Sequence, residues 1–207
     1  GKGVGCLIFK ELHLMLGSDT GFLSCSRMMQ LRSLSLTQFK NYAYSRFAFT
    51  QPVVAFTGPN GIGKTNLLDA IHYLCFTRSY FTATDAAAVS RGKAGFRIEG
   101  IFEHNGTTET VTVVLRENGK KEVSRNGIPY DKFSAHIGRF PCVVIAPDDA
   151  ELITGGSEER RRFMDTLFAQ TDSRYLENLI RYNKVLQQRN GYLRQCAQGA
   201  PRNDGLL

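Results

Sequence analysis

The residues best suited to chemistry are Gly58, Pro59, Asn60, Gly61, Ile62, Gly63, Lys64 and Thr65. They fit the spacing G-x-x-x-x-G-K-[ST], a loop that cradles phosphate. Glycines let the backbone turn tightly enough for several N–H groups to point at one anion. In such a loop Lys64 reaches β- and γ-phosphates, and the Thr65 hydroxyl ligates Mg²⁺. A helix starting here turns its N-terminus, and so its dipole, towards the anion. The plainer reading is a glycine-rich turn in an unrelated α/β domain.

Such a loop must be held between a strand and a helix. Pro52 to Thr57 reads as a short buried strand leading into it. Asn66 to Leu74 reads as the helix after it, with Leu67, Ile71 and Leu74 on one face. Upstream, Leu34 and Leu36 alternate with Ser33, Ser35 and Thr37 in a half-buried strand over Leu31 to Phe39. Lys40-Asn41-Tyr42 makes a turn, and Tyr44 to Phe49 is a second strand.

Downstream, Phe96 to Glu103 and the β-branched Thr110 to Leu115 are strands. Asn105-Gly106, Asn118-Gly119 and Asn126-Gly127 are hairpin signals, so an antiparallel meander follows. Asp131 to Gly138 reads as a short helix and Pro141 to Ile145 as a buried strand. The fold class is α/β, with a sheet mixing meander and parallel-type elements.

Gly155-Gly156 breaks the chain. Ser157 caps a helix with Glu158 and Glu159 in its first turn and Phe163, Met164, Leu167 and Phe168 as its apolar stripe. Thr171 or Asp172 caps another. There Leu179, Leu186 and Leu193 recur every seven residues, as do Leu176, Asn183 and Asn190. This suits the start of a coiled-coil-like arm and, equally, an amphipathic helix on a globular core. The domain reading is an extension over 1–28 with no role in the fold, an ATPase-type lobe over 29–171 and a helical arm over 172–207. Met28 or Met29 is read as the natural start.

A chain of 207 residues can bury one good core. The net charge of +7 is concentrated towards both ends and permits a nucleic-acid partner, although solvated surface charge explains it equally well. The five cysteines are scattered without a C-x-x-C pair, which points to reduced thiols and a cytoplasmic setting. No run of 18 apolar residues suggests a membrane span.

The loop serves several enzyme classes. A GTPase needs a guanine reader, N-K-x-D, and Asn183-Lys184-Val185-Leu186 fails at its last position. A nucleotide kinase needs a basic lid, for which Arg160-Arg161-Arg162 stands as a candidate; a stand-alone kinase-like enzyme is the alternative. A Walker B strand must end in an acid. In Cys142 to Asp149 the Ala146-Pro147 step displaces the acid by two residues, so this stretch is read as a decoy. An incomplete ATPase is expected.

Three stretches together resemble the N-terminal part of the RecF family of bacterial DNA replication and repair ATPases, related to ABC and SMC proteins. The first is Leu34 to Tyr42, with its Phe39-Lys40-Asn41 turn at a set distance before Gly58 to Ile71. The second and most specific is Pro147 to Asp165, including Gly155, Arg160, Arg161, Phe163 and Asp165. The third is Tyr182 to Asn190. The resemblance covers about Met29 to Cys196. The residues before Met28 depart from it, and the family continues beyond Leu207, so a truncated RecF-type chain is expected.

The resemblance implies binding of ATP with Mg²⁺ and of single-stranded or gapped DNA. It implies an ATP-dependent homodimeric clamp that loads recombinase in replication, recombinational repair and the SOS response, with RecO and RecR as partners. It implies weak DNA-dependent ATPase activity in full-length members, whereas this stretch lacks their Walker B and signature motifs. Lys40 and Asn41 lie where the family's early loop approaches the nucleotide, or simply form a polar turn. Arg160 and Arg161 could meet DNA, ATP or an acidic neighbour. Arg78, Arg91, Lys93 and Arg97 are candidate DNA-phosphate contacts, with a solvated surface as the alternative.

Overall fold

The computed structural model describes residues 7–8, 29–146, 149 and 154–198. It divides into two compact units, 1–156 and 157–207. This places the helix beginning at Ser157 with the following helix rather than with the sheet.

In the first unit the alternation around Leu34 and Leu36 becomes strand β2, Gln30–Phe39. It turns at Lys40 and Asn41 into β3, Tyr42–Ala48. After the phosphate loop comes helix α1, Lys64–Phe76. The meander follows as β4, Phe96–His104, β5, Thr107–Leu115, β6, Lys121–Arg125, and the short β7, Ile128–Pro129. The sheet order is β3-β2-β4-β5-β6-β7, and each neighbouring pair is antiparallel. The Asn105-Gly106 and Asn126-Gly127 hairpins have positive φ at both residues, as tight primed turns require.

The inner sheet face presents Leu34, Leu36, Phe39, Phe96, Ile98, Phe102, Val111, Val113 and Val123, all buried. Helix α1 covers it. The spacing of Leu67, Ile71 and Leu74 suggests one apolar face, but every residue from Leu67 to Phe76 is buried. At Gly100 the helix lies so close that an added Cβ would stand 2.5 Å from Leu74 Cδ1. Phe39, Tyr73 and Phe96 pack edge to face at centroid distances of 5.3 to 6.1 Å and join β2, α1 and β4.

Three expected elements differ. Residues 52–57 form no strand, and Val53 is 81% exposed. Pro52 donates no N–H, and Phe56 alone in this run carries a single bridge. The ladders among the described residues are antiparallel. The expected 141–145 strand shrinks to β8, Val143–Val144, which pairs antiparallel with the two-residue β1, Leu7–Ile8. The extension thus contributes backbone pairing. The expected helix over 131–138 is one 3₁₀ turn, Phe133–Ala135, ahead of Gly138 at φ +85°. So short a segment cannot offset the cost of nucleating an α-helix.

The second unit is a helical hairpin of α2, Ser157–Thr171, and α3, Ser173–Ala197. Asp172 caps α3 by accepting the N–H groups of Arg174 and Tyr175. Phe168 meets Tyr175 at 5.4 Å between ring centroids, and the Tyr175 hydroxyl bonds Asp165. Of the heptad leucines, Leu179 and Leu186 are half-buried, whereas Leu193 is exposed, as are Asn183 and Asn190.

His72 on α1 is buried, donates Nδ1–H to the Arg78 carbonyl at 3.0 Å and stacks on Phe76. Burial pushes its pKa from 6.5 down to about 4. Between those pH values the unfolded chain binds the proton and the folded chain does not, so stability falls as pH falls and levels off below about 4. Urea unfolding followed from pH 7 to 4 should show a loss of about 3 kcal/mol from this group. A His72→Gln variant should lose correspondingly less.

Candidate functional site

Gly61 and Gly63 adopt φ of +83° and +110°, a region that side-chain-bearing residues avoid. Helix α1 begins at Lys64 directly behind them, without a side-chain cap. Its first-turn N–H groups therefore lack intrahelical partners. The loop's carbonyls are engaged by named donors. Lys64 Nζ donates to the Gly58 and Pro59 carbonyls, both at 2.8 Å. Asn41 Nδ2 donates to the Ile62 carbonyl at 3.0 Å. The Gly63 carbonyl accepts the Tyr42 hydroxyl at 3.1 Å and the Leu67 N–H at 2.9 Å.

Direction follows from covalent geometry. In a trans peptide the N–H points opposite to the carbonyl, and the described residues contain no cis bonds. Turning the Ile62 carbonyl towards Asn41 sends the Gly63 N–H the other way, and holding the Gly63 carbonyl does the same for Lys64 N–H. The Gly63 and Lys64 N–H groups are thus turned away from Asn41 and Tyr42, an arrangement that can receive a phosphate. Thr65 is exposed in the first helical turn, where its hydroxyl can meet a cation. No group of three His, Cys, Asp or Glu among the described residues is arranged to hold a metal. Thr65, by its place in the loop sequence, is the residue expected to hold Mg²⁺ on the phosphate side.

One turn further along α1, Asp69 is fully buried. Lys40 Nζ meets its Oδ2 at 2.6 Å, the Ser79 hydroxyl donates to Oδ2 at 2.7 Å, and the Tyr80 N–H donates to Oδ1 at 2.7 Å. Lys40 also lies over the Phe81 ring, 5.5 Å from its centroid. The two turn residues singled out together in the sequence thus part company. Asn41 lies against the phosphate loop, and Lys40 reaches back to Asp69.

The other candidates are dispersed. Arg78, Arg91 and Lys93 are exposed in the segments between α1 and β4. Arg97 lies on the outer face of β4 and pairs with Glu99 at 2.5 Å. Arg160 and Arg161 belong to the second unit. Arg161 donates to the Ser157 carbonyl and hydroxyl at 3.1 and 2.9 Å. Asp148 lies outside the described residues. Asp149 accepts Tyr80 O–H and Ala146 N–H, both at 2.5 Å, so both its oxygens have protein donors. Sequence reasoning missed Asp69, Tyr42 and Asn66. An acid amid Leu67, Leu68, Ala70 and Ile71 was the available signal for Asp69.

A family model described as an AAA domain matches residues 33–195. The DNA replication and repair protein RecF of Flavobacterium johnsoniae is 46% identical over 169 residues, 82% of this chain and 47% of that protein. RecF of Cytophaga hutchinsonii is 43% identical over 171 residues, 83% of this chain and 45% of that protein. The chain thus spans about half the length of the curated relatives it matches. A solved structure of the recombination mediator protein RecF with ATPrS, in the RecFOR pathway, is 26% identical with a TM-score of 0.77, covering 87% of this chain and 49% of that one. A structure of SMC ATPases, 19% identical with a TM-score of 0.54, shares the fold. The expected fold class, an α/β P-loop lobe of the ABC/SMC kind with helices following, is the one found.

Removing the Asp69 carboxylate leaves the largely buried Lys40 ammonium without its counter-charge. Asp69→Ala should cost roughly 3–5 kcal/mol in urea unfolding. Lys40→Met combined with Asp69→Leu should recover only the part of that loss due to the unpaired ammonium, because the Ser79 hydroxyl and Tyr80 N–H still lack their acceptor.

Proposed function

The chain belongs to the AAA-domain family, within which it is a RecF homologue, and we propose that its first unit is the nucleotide-binding lobe of a DNA replication and repair protein. The ligand is ATP with Mg²⁺. The observation that carries this is the orientation of the loop over Gly58 to Thr65: carbonyls engaged by Lys64, Asn41 and Tyr42, N–H groups left for an anion. A bound nucleotide supplies a triphosphate whose charge the loop can neutralise. The roles of Lys64 and Thr65 are those of phosphate and Mg²⁺ contact.

Two such lobes facing each other enclose nucleotide between them, and the proposed role is an ATP-dependent homodimeric clamp with slow hydrolysis. RecF bound to ATP, and an SMC ATPase structure described as undergoing ATP-driven dimerization, support this by analogy. The proposed substrate is single-stranded or gapped DNA in the cytoplasm. The proposed setting is recombinational repair and the SOS response, with RecO- and RecR-type partners. Arg78, Arg91 and Lys93 are proposed phosphate contacts. Arg97, with Glu99 as its partner, and Arg161, with Ser157, are weaker ones; Arg160 stays a candidate.

Titration with a fluorescent ATP analogue tests the core of this. Lys64→Ala should weaken Mg-nucleotide binding by about tenfold or more, the worth of a charge-assisted hydrogen bond, while the circular dichroism spectrum stays unchanged. Unchanged affinity would sink the assignment. DNA retention by the parent should fall steeply with salt, and Arg78→Ala with Arg91→Ala should flatten that slope.

A further inference from the structure

Asn41 is joined to the phosphate loop on three sides. Its Nδ2 donates to the Ile62 carbonyl at 3.0 Å. Its Oδ1 accepts Asn66 Nδ2 at 2.8 Å, which fixes which end of the amide faces the loop. Its amide also lies flat against Gly63: a Cβ there would stand 2.5 Å from Asn41 Nδ2 and 2.8 Å from Oδ1. Asn41 is itself held by its neighbours. Lys40 N–H donates to the Ala88 carbonyl at 2.8 Å, and the Lys40 ammonium is clamped by Asp69.

We propose that Asn41, oriented by Asn66, is a positioning residue that preorganises the phosphate loop by holding the Ile62 carbonyl outward and so aiming the Gly63 N–H inward. The proposal rests on the ATP-binding reading and adds a role that involves no contact between Asn41 and the nucleotide. The peptide between Ile62 and Gly63 can rotate, since glycine adopts many backbone conformations at little cost. Without the Asn41 donor, part of the binding energy goes into orienting that peptide. The loss must then appear with any ligand that places phosphates in the loop, whatever group the phosphates carry.

The test uses the full chain and two probes, MgATP and magnesium tripolyphosphate, with binding measured by calorimetry. Asn41→Ala should weaken both by the same factor, about tenfold for one hydrogen bond lost at the site. Asn66→Ala should weaken both by a smaller factor. The double variant should bind no worse than Asn41→Ala, because both changes act through the same amide. Urea midpoints of the unliganded variants should stay near the parent's, which separates loop positioning from a general structural role. Loss of ATP binding with tripolyphosphate binding retained would overturn the proposal, since Asn41 would then read the nucleoside. Unchanged binding of both probes, or additive losses in the double variant, would overturn it too. If Asn41→Ala fails to fold, Asn66→Ala decides alone: an equal loss on both probes supports the proposal, and no loss defeats it. A parent that binds neither probe removes the ATP-binding reading itself.

Discussion

The buried charge of Asp69 is the constraint on which the first unit depends. A carboxylate taken out of water costs several kcal/mol unless it is paired and hydrogen-bonded. Asp69 meets that demand by gathering Lys40 from the β2–β3 turn and Ser79 and Tyr80 from the segment after α1. Two stretches, one before the phosphate loop and one just after α1, are thereby fixed to one helix. The same turn carries Asn41 and Tyr42 to the phosphate loop. The ion pair thus sets the geometry of groups it does not touch. Nearby, Lys121 repeats the pattern on a smaller scale, pairing with Asp85 at 2.7 Å and donating to the Thr77 carbonyl at 2.9 Å.

How much of this was legible in the sequence depended on the range of the interaction. Local patterns were readable. The glycine spacing of the loop, the alternation in β2, the Asn-Gly hairpins and the Asp172 cap all depend on residues close in sequence. Residues 52–57 misled because an apolar run predicts burial, whereas a strand also needs a continuous ladder, and here only Phe56 is bridged. Lys40 and Asn41 read together in the sequence, as a nucleotide-proximal pair or a polar turn. Their different partners lie 29 and 21 residues away, at Asp69 and Ile62, and no spacing rule specifies such contacts.

The two units differ in what stabilises them. The first has a large apolar core that also encloses Asp69, His72 and His136, with α1 buried against the sheet from Leu67 to Phe76. Among the described residues of the second, only Ala169 is buried, and α3 itself buries no residue. Leu176, Leu179 and Leu186 are half-buried, whereas Ile180, Tyr182 and Val185 are exposed. The nucleotide chemistry proposed here belongs wholly to the first unit. It depends on the close packing of α1, which fixes the helix start at Lys64 and therefore the floor of the loop.

The proposed anion cradle is built from backbone N–H groups of the loop and the start of α1. The most direct test is a nitrogen-15 NMR titration with MgATP that follows the amides of Gly61, Gly63 and Lys64. These three should shift most and saturate together with nucleotide binding. Saturable ATP binding that leaves these amides unmoved while signals elsewhere shift would contradict it.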